Sequence, residues 1–575
     1  MAAKVPPIEL PPLYYLNYFR FLVDFVREKY AHILQNGETE YLDAFDGLSR
    51  EAQCLFVRLI TRRGSFFPLC RLNYDEIPDL ESTVRELSAT GFVHFLCTDD
   101  ADCTEELFRK LTKDEIYRIL QCLKGDDLKK SWSKSRLCDI LSTYPFTDIL
   151  EALACQVPVI RCGKRDETEM IFFLFFGNVD NSLSDFVIRD IGYVKLEEIK
   201  AEHMTPQFAT RMEAEQKLFL CRAYGTFRIL REGLPPDELV TWYEEVANSV
   251  SNWSAPARPV FDRLTVRLGH LLERGKEPKL AKKVYAYTKA PPSRERLVRL
   301  YRSEGNDEMA LELAMAMSRE PGNAEEYYFA RDYIKTGSTR SRIRRSMTTL
   351  LKEADEIHIC ESARGYVEGG ALQHFIEKGY KGYHCENYLW RNLFGLVFWE
   401  ELFDGKSHAL HHPLQRTPSD LYHSGFYQTR QNGLKSKLAI LDCEETFANY
   451  ANTFFADKEG INNPFIGWHE DALPSILTCY KLVGARPLRK VLLEMCRNVK
   501  ENGRGFPDLF IFTDDHYEFI EIKSPTDQLS AQQLYWIEYL KEAGINARVL
   551  RVAFTPTQSG ITSNSNLSAE TESIL

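Results

Sequence analysis

The sequence lacks several patterns that identify large protein classes. Its 14 cysteines include no pair separated by two residues and no tight cluster with histidine, which argues against a zinc ribbon or a disulfide framework. No stretch approaches the ~18 uninterrupted apolar residues of a membrane-spanning helix, and the N-terminus has no apolar signal-peptide segment. We therefore expect reduced thiols and no membrane association.

The longest apolar run is short and is bounded by polar residues. It reads MIFFLFFG from Met170 to Gly177 and lies between Glu169 and Asn178. We interpret this run as a buried strand, because strands of this length inside a protein are apolar on both faces.

The chain also lacks an excess of positive charge. Its 72 Lys and Arg residues stand against 83 Asp and Glu residues, a net charge of −11. This balance argues against a protein that coats nucleic acid along its whole surface, although local basic patches remain. With 575 residues, 44% of them hydrophobic, the chain is expected to form three to four globular domains of ~150 residues.

Local positive charge occurs in two N-terminal helical segments. Between Arg50 and Arg71, five arginines accompany one acid, Glu51, and Leu111–Leu141 reads as two short helices that begin with capping residues. The second segment resembles the SAP motif, a helix-loop-helix unit that holds the DNA backbone. A phosphate-binding surface and a solvated helix face are both consistent with these charges. The candidate DNA contacts are Arg58, Arg62, Arg63, Lys129, Lys130, Lys134 and Arg136.

From about Ile199 to Leu351 the pattern is helical and repeat-like. Small alanines at close-packing positions make the helix pairs similar to tetratricopeptide-type units, while an all-helical linker is the alternative. A basic knot near its end is consistent with a phosphate contact or a solvated turn. Its members are Arg340, Arg342, Arg344 and Arg345. The last ~20 residues are rich in Ser, Thr and Asn and are expected to be disordered.

The segment Gly503–Val552 contains the most informative pattern. Residues 508–512 and 517–523 favour strands, and a two-residue turn at Asp514-Asp515 would pair Asp508 with Glu521. Lys523 shares their face, because side chains alternate along a strand. Two carboxylates and an ammonium on one face suit a Mg²⁺- or Mn²⁺-dependent phosphodiesterase, although charged pairs at hairpin ends are also common by chance.

The neighbouring residues make the pattern more specific. Gly-Phe-Pro-Asp-Leu at 505–509, Glu521-x-Lys523, and the residues Asp527, Leu529, Ser530, Gln533 and Trp536 that follow closely resemble the VRR-NUC form of the PD-(D/E)xK nuclease motif. The resemblance implies that Glu386, upstream at the head of an apolar helix, joins Asp508 and Glu521 as a ligand for Mg²⁺ or Mn²⁺. The Glu386 side chain could instead cap that helix.

The same resemblance assigns roles to further residues. The backbone carbonyl of Ile522 would be another metal ligand, Lys523 would position the nucleophile, and Gln533 would steady Lys523 or the attacking water. Basic residues beside the motif are expected to contact DNA. They are Arg497, Lys500 and Arg504.

The order of the modules resembles the Fanconi-anaemia-associated nuclease family, and the length is similar to its bacterial members. That family implies a structure-specific endonuclease that cuts a 5′ flap near a junction, with 5′ to 3′ exonuclease activity, in interstrand cross-link repair. It also implies a cytoplasmic, nucleoid-associated protein in a bacterium, or a nuclear one in a eukaryote. The alternatives are a non-catalytic junction-binding scaffold and another nuclease of the superfamily, such as a Holliday-junction resolvase. The long helical region favours a monomer; protein partners are not indicated.

The expected fold is multidomain and mainly α, with a C-terminal α/β nuclease core around a mixed sheet. The expected domains are a helical DNA-binding module at 1–100, a SAP-like module with a connecting segment at 101–198, a helical-repeat domain at 199–351, the nuclease domain at 352–555 and a tail at 556–575.

Overall fold

A computed structural model describes residues 10–123, 128–336, 345–423 and 425–555. The chain divides into two compact units, and each is described by itself. The first unit ends at Leu264 and also includes His408–Arg416. The second comprises Thr265–Ser407 and the chain from Thr417 onward. The boundary lies inside the predicted helical-repeat segment 199–351, so a single domain there remains a prediction.

The first unit is mainly helical. Its helices are α1 (Tyr14–Tyr30), α2 (Asn36–Asp46), α3 (Arg50–Ile60), α4 (Leu80–Ala89), α5 (Thr104–Lys110), α6 (Lys113–Leu123), α7 (Lys134–Leu141), α8 (Phe146–Gln156), α9 (Arg165–Phe176), α10 (Ser184–Asp190), α11 (Arg211–Leu230), α12 (Pro236–Asn248) and α13 (Arg258–Arg274), which contains the boundary. A small antiparallel sheet accompanies them, in which β3 (Val159–Cys162) lies between β1 (Phe66–Pro68) and β2 (Val93–Phe95).

The prediction of a buried strand at Met170–Gly177 is wrong, because these residues form most of α9 and its end. Gly177 ends the helix with a φ of 68°, which favours glycine. The side chains of Ile171 and Leu174 are buried in the core of the first unit. An apolar run without period cannot distinguish a buried strand from a buried helix.

The two helices expected in the SAP-like segment are α6 and α7. Thr112 and Glu115 form a reciprocal cap at the start of α6: the Thr112 N–H donates to Glu115 Oε2 at 2.6 Å, and the Glu115 N–H donates to Thr112 Oγ1 at 3.2 Å. Ser133 caps α7 by accepting the N–H of Arg136 at 3.2 Å. Both helix starts therefore follow from local hydrogen bonding.

The second unit contains fourteen further α-helices among its described residues. They are α14 (Pro278–Tyr285), α15 (Ser293–Ser303), α16 (Asp307–Arg319), α17 (Ala324–Thr336), α18 (Ser346–Glu353), α19 (Val367–Glu377), α20 (Tyr388–Val397), α21 (Trp399–Leu402), α22 (Phe426–Lys437), α23 (Glu444–Lys458), α24 (Ala472–Val483), α25 (Ala485–Arg497), α26 (Val499–Asn502) and α27 (Ala531–Ala543). The alanines Ala310 and Ala314 of α16 are fully buried against neighbouring helices, as expected for close packing.

A five-stranded mixed sheet organises the second unit. Its strands are β4 (Asp355–Cys360), β5 (Lys381–His384), β6 (Leu509–Phe512), β7 (Tyr517–Lys523) and β8 (Ala547–Thr555), in the spatial order β4-β8-β7-β6-β5. The pairs β4/β8 and β7/β8 are parallel, while β5/β6 and β6/β7 are antiparallel. A mainly helical chain with a C-terminal mixed sheet is the predicted fold class, which is confirmed.

The β6–β7 hairpin has the predicted register. Phe510 pairs with Phe519 and Phe512 with Tyr517. The rings of Phe510 and Phe519 stack at a centroid distance of 4.7 Å on the side of the large core that includes α20 and α27. The opposite side of the hairpin, with Ile511, packs against α19. Alternation along the two strands thus separates two apolar layers.

Candidate active site

The loop before β6 places Asp508 at the end of the hairpin. Phe506 stacks between Trp390 of α20 and Trp536 of α27, with centroid distances of 5.3 Å and 4.0 Å. Gly505 has a φ of 83°, and a Cβ there would lie 2.7 Å from Gln532 Cγ. A left-handed conformation in such a narrow space favours glycine. The first two residues of the Gly-Phe-Pro-Asp sequence therefore have structural roles. Gly505 fits the narrow space beside Gln532, and Phe506 stacks between the two tryptophans.

Asp508 is held at both its backbone and its side chain. Its carbonyl oxygen accepts the N–H groups of Cys385 at 2.8 Å and Glu386 at 2.9 Å. Its Oδ2 accepts the N–H of Ile522 at 2.7 Å. These bonds tie the segment between β5 and α20 to the hairpin, so residues more than one hundred positions apart in sequence meet here.

Glu521 is the buried centre of the cluster, with 1% of its surface exposed. Its Oε1 accepts from Lys523 Nζ at 2.9 Å and from Gln533 Nε2 at 2.5 Å. Its Oε2 is buried and, among the described residues, has no hydrogen-bond partner. Gln533 was expected to steady Lys523 or the attacking water; its side chain instead bonds to Glu521, which Lys523 also contacts.

Burial controls the protonation of the two carboxyls in the metal-free chain. Removal from water, together with the nearby Asp508, raises the pKa of Glu521 to about 8. Burial also raises the pKa of Asp508 to about 6, against the lowering effects of the Ile522 N–H and the Lys523 ammonium. A positive ion close to both groups would reverse these shifts.

Glu386 lies beside this cluster but outside the helix in which it was expected. Helix α20 begins at Tyr388, and Glu386 precedes it with a φ of 36°. A left-handed backbone conformation costs a residue with a side chain about 1–3 kcal/mol. The hydrogen bond from the Glu386 N–H to the Asp508 carbonyl holds Glu386 in this conformation. The Glu386 side chain is exposed, and it contributes to the raised pKa of both Asp508 and Glu521.

One nearby acid was missed in the sequence. Glu368, in the first turn of α19, is a further cause of the raised pKa of Asp508. Its charge therefore acts on the same carboxyl as that of Glu386. No local motif marks Glu368, because it reaches the site only through the packing of α19 on the sheet.

The donor set fits a divalent cation such as Mg²⁺ or Mn²⁺. The unsatisfied Oε2 of Glu521 and the Asp508 carboxylate offer hard oxygen ligands, and their raised pKa values show that the single Lys523 ammonium does not offset the cost of burying two negative charges. Among the described residues, no three acidic, histidine or cysteine side chains form a ready-made metal cluster. The carbonyl of Ile522 and the side chain of Glu386 thus remain predicted ligands.

Several predicted DNA contacts in the first unit already have partners. Arg58 lies over the ring of Tyr15 at 4.3 Å and bonds to Glu76 at 2.6 Å. Lys134 donates to the carbonyl of Arg109 at 2.9 Å, and Arg136 lies 4.3 Å from the Trp132 ring. Arg62 lies 5.3 Å from the Tyr74 ring. The remaining candidates in this unit are exposed, and they are Arg63, Lys129 and Lys130.

The candidates in the second unit divide in the same way. Arg497 pairs with Glu494 at 2.8 Å, and Arg504 pairs with Glu501. Lys500 and Arg345 are exposed. The other three members of the predicted basic knot lie outside the described residues, as does the predicted disordered tail. They are Arg340, Arg342 and Arg344. Contact of any of these residues with DNA stays a prediction.

Comparison with known proteins agrees with this architecture at both ends of the chain. The family model "FAN1, HTH domain" matches residues 13–94, and the "VRR-NUC domain" model matches residues 448–554. The second range includes Asp508, Glu521 and Lys523.

Similar proteins extend the agreement over most of the chain. The Fanconi-associated nuclease 1 homolog of Pseudomonas aeruginosa is 28% identical over 92% of this chain and 94% of its own length. The homolog of Arabidopsis thaliana is 24% identical over 95% of this chain and 68% of its own length.

A solved structure agrees as well. The crystal structure of paFAN1 bound to 5′-flap DNA with a 2-nucleotide flap and a gap has a TM-score of 0.79 at 25% identity, covering 96% of this chain and 100% of that one. The matches at both ends and along the length agree with one another. Over most of its length the chain is similar to the Fanconi-associated nuclease family, bacterial members included, and its C-terminal region matches the VRR-NUC domain.

Proposed function

We propose that this chain is a metal-dependent DNA phosphodiesterase that cuts branched DNA near the junction of a 5′ flap. The observation that carries the proposal is the cluster of Asp508, Glu521 and Lys523 with one buried, unsatisfied carboxylate oxygen. The similar paFAN1 protein was crystallised with 5′-flap DNA, which supports this substrate. The 5′ to 3′ exonuclease activity and the role in interstrand cross-link repair rest on the family relationship.

We propose a role for each side chain of the cluster. Asp508, Glu521 and Glu386 would hold Mg²⁺ or Mn²⁺, together with the Ile522 carbonyl. When bound, the cation lowers the pKa of a water that it holds and neutralises charge that develops on the phosphate. Lys523, with 10% of its side chain exposed, keeps its ammonium directed at Glu521 and can orient a water beside it. Gln533 holds Glu521 in place from α27.

The cellular location and the oligomeric state are also part of the proposal. No helix of the described residues is long and apolar enough to cross a membrane. We propose a monomer, since helical modules upstream of the nuclease core can orient DNA without a second subunit. The bacterial-type relationship supports a cytoplasmic, nucleoid-associated location.

The direct test is incision of an end-labelled 5′-flap DNA with Mg²⁺, Mn²⁺ or EDTA, with binding followed on the same substrate. We expect metal-dependent cutting by the wild type and loss of cutting, with retained binding, in Asp508→Ala. Asp515→Ala is the matched control, because Asp515 is an exposed carboxylate in the turn of the same hairpin. Its cutting should equal that of the wild type.

The alternatives give different results in the same assay. Tight flap binding by the wild type without cutting in Mn²⁺ would identify a junction-binding scaffold. Symmetric paired cuts in a four-way junction, made by a dimer, would identify a resolvase. Either result would replace the proposal.

A further inference from the structure

Two exposed tyrosines border Glu386 in the second unit. Tyr388, two residues after Glu386, has 54% of its surface exposed, and Tyr366, in the segment before α19, has 58% exposed. The Tyr366 ring contacts the imidazole of His384, which lies two residues before Glu386. Tyrosines are often partly exposed, but two rings this open beside one acidic cluster offer flat apolar faces to a ligand.

Both rings are held in place from the side. Tyr388 meets His469 edge-on, with a centroid distance of 6.0 Å and an interplanar angle of 89°. Tyr366 meets His384 in the same manner, at 6.0 Å and 85°. The Tyr366 ring also occupies the space above Gly369, where a Cβ would lie 1.9 Å from Tyr366 Cε1. Each tyrosine is therefore ordered before any ligand binds, while much of its surface stays open to solvent.

The charges nearby select the ligand that these surfaces fit. Asp508, Glu521, Glu386 and Glu368 make the site acidic, so a phosphate backbone is repelled except where a cation bridges it. A nucleobase is uncharged and has flat faces of the size of a tyrosine ring. Base stacking on aromatic side chains is a common way for proteins to hold single-stranded nucleic acid.

The burial of the cluster indicates from which side a DNA strand can approach the carboxylates. Glu521 and Lys523 are covered, whereas Glu386 is exposed, so the Glu386 side of the cluster is open to a strand. His384 and Tyr388 stand on either side of Glu386 in the chain, and each belongs to one aromatic pair. The nucleotides next to a bound phosphodiester would meet these rings first.

We propose that Tyr388 and Tyr366 each stack on an unpaired base of the cleaved strand, one on either side of the scissile phosphodiester. This inference rests on the proposed nuclease function and adds a requirement to it: the strand must be unpaired where it is cut. Both tyrosines are positioning residues, because they hold the strand and do not contact the reacting atoms.

The test measures binding in Ca²⁺, which oxygen ligands also hold, so that a cation can bridge the phosphate; gel electrophoresis confirms that the DNA stays uncut. The full chain is titrated with a fluorescent 5′-flap DNA that carries either normal bases or an abasic residue at one nucleotide beside the cut. We expect Tyr388→Ala and Tyr366→Ala each to weaken binding of the normal DNA about tenfold. One abasic position should weaken wild-type binding equally and have no further effect in the matching variant.

Three comparisons separate stacking from other causes. Tyr388→Phe and Tyr366→Phe should bind like the wild type, because a phenyl ring still stacks. Tyr422→Ala, a tyrosine of the same unit with 51% exposure, should also bind normally. The dependence of binding on salt should be unchanged in the alanine variants, because no phosphate contact is lost.

Equal binding by the wild type and both alanine variants would overturn the inference. Independent, additive losses from the variants and the abasic positions would also overturn it, since the ring and the base would then not interact. A wild type that shows the stacking pattern yet fails to cut in Mn²⁺ would reject the proposed nuclease function while leaving the binding result, so the two failures are distinguishable.

Discussion

Glu521 has one carboxylate oxygen with two donors and one with none. A buried acceptor without a donor costs about 1–3 kcal/mol, so such a group is retained where a ligand completes it. The neighbouring Lys523 ammonium contacts Oε1 and leaves Oε2 without a donor. The unsatisfied Oε2 of Glu521 is thus the strongest single indication that this cluster binds a cation.

The first prediction concerns this oxygen. We expect Mn²⁺ to raise the melting temperature of the wild type, because an ion that binds only the folded state stabilises it. Glu521→Gln should show no such rise, since an amide is a poor ligand, and should keep or increase its stability without Mn²⁺, because an amide needs no proton uptake to be buried neutral. Differential scanning fluorimetry with and without Mn²⁺ measures both effects.

The control for this measurement is Asp515→Asn, which removes an exposed carboxylate from the same hairpin. It should keep the full Mn²⁺-induced rise. An equal rise in Glu521→Gln would show that Glu521 is not a ligand.

A second prediction concerns pH and the first unit. His412 is buried against the rings of Phe175 and Phe176, and burial together with His411 lowers its pKa to about 3. In the unfolded chain the pKa is near 6.5, so between these values only the unfolded state takes up the proton. The stabilising contribution is therefore present above pH 6.5 and decreases as the pH falls below it.

The expected slope is a loss of about 1.4 kcal/mol per pH unit below pH 6.5. His412→Leu should lack this component, so its melting temperature should decrease less than that of the wild type between pH 7 and pH 5. Calorimetry at several pH values measures the difference. Parallel curves for the two proteins would mean that His412 is protonated in the folded state.

At the scale of elements, the hairpin was predictable because its information is local. A two-residue turn fixes the register of β6 and β7, and alternation then fixes which side chains share a face. The position of Asp508 opposite Glu521, with Lys523 on the same face, follows from this arithmetic.

Other elements depended on contacts between distant parts of the chain. The strand β8 lies between β4 and β7, and Glu368 acts on Asp508 from α19, although neither relation has a local signal. Glu386 was found as a residue but misplaced in α20, because the bond of its N–H to Asp508 decides its backbone conformation. The small sheet of the first unit was missed because its three short strands are separated by long helical stretches.

A third prediction links the start of α27 to the site. The Gln533 side chain accepts the Ser530 N–H through Oε1 and donates to Glu521 through Nε2. Gln533→Ala removes both bonds and should lower the free energy of unfolding by about 1 kcal/mol. Gln533→Glu keeps the reciprocal cap but places a second carboxylate against Glu521, so cutting should decrease more than stability.

Both variants are measured in two assays. Denaturant unfolding reports the contribution of the cap to stability, and flap incision reports the role of the contact with Glu521. Gln533→Glu with wild-type cutting would show that the contact with Glu521 has no role in the reaction. Equal loss of stability in the two variants would show that the cap does not depend on Oε1.

At the scale of the whole molecule, a net charge of −11 has to coexist with binding to a polyanion. Much of the local positive charge is already neutralised within the protein, as for Arg58 with Glu76 and Arg497 with Glu494. Exposed lysines that form no ion pair among the described residues remain available for phosphate. The total charge is therefore a poor guide to binding, and these exposed lysines are the better one.

The last prediction tests this distinction through salt dependence. Each phosphate contact contributes about 0.9 to the slope of log affinity against log salt concentration, because binding releases a counterion. The double variant Lys129→Glu/Lys130→Glu should weaken flap binding and reduce the slope by about 1.8, since both lysines are exposed. The control is Arg85→Glu, in which an arginine that is 70% exposed and paired with Glu81 is reversed. If its slope changes half as much as that of the double variant, in proportion to its single charge reversal, total charge and not the two exposed lysines governs binding to DNA.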